Sequence, residues 1–66
     1  MRITLNGEPF EFEEGRTVSH LLTTVDVDER RVAVEHNLIV LKRAAFDTTL
    51  IREGDEVEIV NFVGGG

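Results

Sequence analysis

The chain has 66 residues, 41% hydrophobic and 30% charged, which suits one small domain and leaves little room to enclose a catalytic pocket. Thirteen acidic against seven basic side chains give a formal charge of −6, the opposite of the basic footprint that nucleic-acid binding requires, though it suits docking on a basic protein surface. There is no cysteine, which removes disulfides, thiolate nucleophiles and sulfur-ligated metals, and no apolar run approaches the ~20 residues of a membrane span.

Met1, Ile3 and Leu5 alternate with Arg2 and Thr4, the period of a half-buried strand. This start lacks the shape of a signal peptide, so a cytoplasmic protein is expected. Asn6-Gly7 predicts a type I′ hairpin turn, because both residues tolerate positive φ. The returning strand places Phe10 and Phe12 on one face and glutamates on the other, and Pro9 suits the start of an edge strand. Glu14-Gly15 breaks that strand. Thr17 is then a candidate helix N-cap, and Val18, Leu21, Leu22 and Val25 fall at the spacing of a one-sided apolar stripe. The helix is short and carries two β-branched threonines, so its stripe must pack on the hairpin to hold it.

Residues 26–31 read as a polar turn, and Val32 and Val34 mark a third strand. Leu38, Ile39, Val40 and Leu41 form an apolar run that fits either a small paired strand or a buried turn. Residues 42–47 suggest one helical turn anchored by Phe46, and Leu50-Ile51 a short extended piece. Arg52, Glu53, Gly54 and Asp55 read as a turn, and residues 56–63 as the final strand. The histidines, His20 and His36, have no third ligand in sight and read as surface or packing residues. Ser19-His20 is no triad pair, since adjacent helical side chains diverge.

An antiparallel hairpin, a helix and then further strands make a mixed sheet of four or five strands with the helix on one face. Short connections and a right-handed crossover put the last strand beside the first and parallel to it. That α+β topology is the β-grasp, with residues 1–63 as the domain and 64–66 as a flexible glycine tail. If Val57 and Ile59 face the helix, then Glu56, Glu58, Val60 and Phe62 lie on the open face. Val60 and Phe62, with Val63 after them, are therefore candidate partner-binding residues beside Gly64, Gly65 and Gly66. A tail without Cβ atoms can thread a channel too narrow for other residues, and it leaves the carboxylate of Gly66 sterically bare.

The run Gly54-Asp55-Glu56-Val57-Glu58-Ile59-Val60-Asn61-Phe62-Val63-Gly64-Gly65-Gly66 resembles the C-terminus of the sulfur carriers of thiamine biosynthesis, the ThiS family. Leu5-Asn6-Gly7-Glu8, Thr17-Val18 with Leu21-Leu22, and Val32-Ala33-Val34-Glu35-His36-Asn37 match that family in order and spacing. Residues 38–42 depart from it, because the family often has a polar turn and a proline there.

The resemblance implies that an E1-like adenylyltransferase uses ATP and magnesium to adenylate Gly66. Sulfur from a cysteine desulfurase route then makes a thiocarboxylate, which a thiazole synthase consumes. It implies that Gly64 and Gly65 thread the partner, and that the chain itself binds no cofactor or metal and is a co-substrate rather than an enzyme. A free monomer without nucleic-acid or membrane partners is expected. The elementary chemistry agrees: a carboxylate with a pKa of ~3.5 is an anion and a poor electrophile at neutral pH until it gains a leaving group. Three other readings stay open. They are a molybdopterin-synthase small-subunit type of carrier, a ubiquitin-like modifier that forms isopeptides, and a plain β-grasp binding module with an incidental tail.

Overall fold

Strict alternation builds the first hairpin of the computed structural model, which describes residues 1–62. Strands β1 (Arg2–Leu5) and β2 (Glu8–Glu11) pair antiparallel. Asn6 and Gly7 between them adopt φ of 50° and 82°, the left-handed pair that a type I′ turn needs. Pro9 lies opposite Thr4 on β2, an outer strand, where its missing N–H interrupts no inner ladder.

Helix α1 (Val18–Thr24) begins where the sequence predicts: Thr17 is extended, and its side-chain oxygen accepts from the His20 amide at 3.2 Å. Val18, Leu21 and Leu22 are fully buried, each contributing about 1.5–3 kcal/mol of apolar transfer. The helix closes in a Schellman arrangement. Asp26 turns left-handed at φ 61°, and the amides of Asp26 and Val27 donate to the Thr23 and Leu22 carbonyls at 3.0 and 2.8 Å. Residues 26–31 are therefore more ordered than a polar turn. Val27 packs against the core, and Glu29–Arg31 forms a 3₁₀ turn capped by Asp28.

Strands β3 (Val32–His36), β4 (Ile39–Leu41) and β5 (Glu56–Asn61) complete a five-stranded sheet in the order β2-β1-β5-β3-β4. β5 is central, parallel to β1 and antiparallel to β3, the β-grasp expected from the element order. Of the two possibilities for residues 38–41, the paired strand is the one realised. Asn37 and Leu38 make its turn at φ of 53° and 71°, and Leu38, Ile39 and Val40 are exposed rather than buried. After a 3₁₀ turn at Arg43–Ala45, Phe46 inserts into the core at 2% exposure, beside Ile3, Leu21, Val34 and Val57. Leu50 bridges Thr17, and Ile51 is buried. The last strand spans Glu56–Asn61, shorter than the expected 56–63 within the described residues. Phe62 still donates its amide to the Arg31 carbonyl at 2.9 Å.

Candidate functional site at the exit of the central strand

The period of two sorts β5 as the sequence predicts. Val57 is buried against the helix side and Ile59 is half-buried, while Glu56, Glu58, Val60 and Phe62 are exposed. Val60 and Phe62 expose 56% and 54% of their surfaces, unusual for large apolar side chains standing together at the end of a central strand. Ladder pairing extends the same open face across β3 and β4: Ala33 lies opposite Val60, and Glu35 lies opposite both Glu58 and Val40. Glu35 and Glu58 face each other as like charges, an arrangement that costs stability in the free sheet. The face thus carries a carboxylate pair flanked by Val40 and Val60.

Two asparagines fix the position of β5. Asn6, already left-handed in its turn, donates its amide to the Val57 carbonyl at 2.9 Å, and its side-chain oxygen accepts from the Ile59 amide at 2.7 Å. Asn37 repeats the device on the opposite edge. Its side-chain oxygen accepts from the Glu56 amide at 2.8 Å, while its own amide donates to the Glu56 carbonyl at 2.8 Å. Both side chains substitute for backbone that has turned away, which is why short polar residues that tolerate positive φ sit there.

Asp55 anchors the strand's entry. Burial pushes its carboxyl up, but hydrogen bonds from the Arg52 amide at 2.9 Å, His36 at 2.7 Å and Asn37 at 3.2 Å outweigh that and hold it below the usual carboxylate range. His36 is thereby a structural partner of Asp55, a pairing that sequence spacing alone could not reveal. His20 lies near Glu13 at 3.7 Å and beside the Phe12 ring, while Ser19 Oγ donates to Glu29 at 3.2 Å. The adjacent Ser19 and His20 therefore do not act on each other. Among the described residues no cluster of three or more His, Cys, Asp or Glu side chains could hold a metal ion. The tail residues Gly64, Gly65 and Gly66, and the partner-binding candidate Val63, lie outside the described residues.

The fold is that of a ubiquitin-like β-grasp domain, with apolar side chains exposed where its central strand ends. The comparisons with known proteins agree. The ThiS family model matches residues 3–66, and the chain belongs to that family. A crystal structure of a thiamine biosynthesis protein (ThiS) from Geobacter metallireducens superposes with a TM-score of 0.87 at 42% identity, covering 100% of both chains. Sulfur carrier protein ThiS of Bacillus subtilis is 29% identical over 65 residues, 97% of this chain and 98% of that one. A thiazole synthase of Paramagnetospirillum magneticum is 41% identical over all 66 residues, and here the chain spans only 20% of the relative's length.

Proposed function

We propose that the chain is a sulfur carrier for thiamine biosynthesis, with the carboxylate of Gly66 as the group that carries the sulfur. An E1-like enzyme supplied with ATP and magnesium joins that carboxylate to AMP and releases pyrophosphate. A persulfide from a cysteine desulfurase route then displaces AMP to give an acyl disulfide, and a thiol reductant cleaves its S–S bond, leaving a thiocarboxylate whose sulfur passes to a thiazole synthase. Val60, Phe62 and Val63 grip the partner while Gly64 and Gly65 thread its channel. The chain contributes no acid, base or metal, so it is a co-substrate that binds no cofactor of its own, monomeric when free and cytoplasmic. No helix among the described residues is long and apolar enough to cross a membrane.

The observation that carries this reading is the ThiS family match, which runs to residue 66 and so includes the glycine tail. The names of the Bacillus and Geobacter relatives support the thiamine branch over a molybdopterin-synthase type of carrier or a protein modifier. The absence of cysteine leaves the terminal carboxylate as the place where transferable sulfur attaches. Intact mass spectrometry after incubation with the E1-like enzyme, ATP and a sulfur source tests it. One oxygen is expected to be replaced by sulfur, mapped to Gly66, and the change is expected to vanish when Gly66 is deleted. Normal sulfur gain by the deletion variant would refute the assignment.

A further inference from the structure

Hydrogen bonding along β5 alternates between its two sides. The amides of Glu56 and Phe62 point toward β3, donating to Asn37 Oδ1 and the Arg31 carbonyl, whereas the Ile59 amide points the other way, to Asn6 Oδ1. By the same period, the amide of Asn61 shares the Ile59 side, as do the carbonyls of Ile59 and Asn61. β1 has already ended there. Its register with β5 covers only Thr4 with Glu56 and Leu5 with Val57, and the chain then turns back at Asn6-Gly7. Among the described residues nothing bonds the Asn61 amide on that side. The end of the central strand is thus half an edge, paired to β3 and open where β1 is missing.

The outer strand β2 is blunted by Pro9, Glu8 and Glu11, as edges that must not pair usually are. The open stretch, from the Ile59 carbonyl to Asn61 beyond the amide that Asn6 already caps, has no such guard, and exposed Val60 and Phe62 stand beside it. We infer that an extended, apolar segment of a thiazole synthase adds to the sheet here as a strand, in line with β1 and alongside residues 59–61. This rests on the carrier reading above. Alternating amide and carbonyl groups are matched in register by another strand, and Val60 and Phe62 ask for apolar side chains on it. The synthase is the chosen occupant because thiazole synthases carry a segment like this chain as one fifth of a single polypeptide, which tethers the two.

Asn61→Pro removes the N–H that the strand would use and, among the described residues, no hydrogen bond of the free fold. Its thermal midpoint and its Kd for the cognate thiazole synthase are compared with wild type, together with hydrogen exchange at the Asn61 amide. The expected result is a retained fold, affinity weakened about tenfold or more, and exchange at Asn61 that slows in the wild-type complex. Unchanged affinity in a folded Asn61→Pro protein overturns the docking mode, even if Gly66 gains sulfur normally. If the proline variant unfolds, absence of protection at Asn61 in the wild-type complex overturns it instead. Protection that arises only with the adenylating enzyme overturns the choice of occupant. A wild-type chain that neither gains sulfur nor binds the synthase sinks the proposed function and this surface with it.

Discussion

Leu38 occupies φ 71° in the turn between β3 and β4, where a Cβ crowds the next carbonyl, and its side chain is 81% exposed, so little packing compensates. Relief of about 1–2 kcal/mol of backbone strain, less about 0.5–1 kcal/mol for glycine's freer unfolded chain, makes Leu38→Gly stabilising by about 0.5–1 kcal/mol. A rise of several degrees in thermal midpoint is expected, and a fall would show that Leu38 makes contacts the free chain needs. Asp55 yields the pH dependence. Its carboxyl is held below the usual range, so its contribution is complete above the unfolded value of about 3.9 and drains away as pH falls through the folded value. Exposed Asp28, brought down to about 2 by its hydrogen bond from Arg30, adds in the same direction. Chemical denaturation should therefore show stability weakening as pH falls below about 4. Asp55→Asn should cost about 1–2 kcal/mol at neutral pH and flatten that acid slope; an unchanged slope would remove Asp55 from the account.

Among the elements, β5 depends on groups that are not strands. Asn6→Gly preserves the left-handed turn but strips the acceptor from the Ile59 amide, whereas Asn6→Asp keeps both. A loss of about 0.5–1.5 kcal/mol for the glycine variant, largely restored by aspartate, is expected from denaturant midpoints. Equal losses in both would point to the turn and not to the bond. The contrast also marks what a sequence discloses. Asn6-Gly7 announces its turn because φ preference is a local property, and Thr17 announces its cap in the same way. The stripe of Val18, Leu21 and Leu22 is equally local, and with the hairpin it is enough to imply a β-grasp. The reach of Asn6 to Ile59, or of His36 to Asp55, spans strands far apart in the chain, so no spacing encodes it. Residues 38–41 were legible only as apolar. Whether such a run is buried or forms an exposed edge is decided by what else covers it, and Leu38 at positive φ is chosen by the tightness of the β3–β4 turn, against its own preference. The open face at Val60 and Phe62 was readable because alternation, once anchored by buried Val57, leaves no other assignment.

For the molecule as a whole, the segment between β4 and β5 matters more than its irregular shape suggests. It supplies the first turn of α1 with acceptors: the amides of Val18 and Ser19 donate to the Thr49 and Phe46 carbonyls at 3.0 and 2.9 Å, and Thr17 serves His20. Phe46 pins that segment into the core, so helix, loop and sheet share one anchor. Phe46→Ala should cost about 3–5 kcal/mol, against the about 3–5 kcal/mol that a core in so short a chain rarely exceeds, and leave much of the chain unfolded at room temperature. Phe46→Leu, which keeps most of the volume, should be milder. Deleting Gly66 should leave the denaturation midpoint where it is. Set beside sulfur gain, these variants separate scaffold from handle. The Phe46 series should lose thiocarboxylate in proportion to the unfolded fraction and regain it under stabilising conditions, while the Gly66 deletion stays folded and inert. If Phe46→Ala gained sulfur at the wild-type rate while unfolded, the enzymes would be reading the tail alone, and the β-grasp would have no part in presenting it.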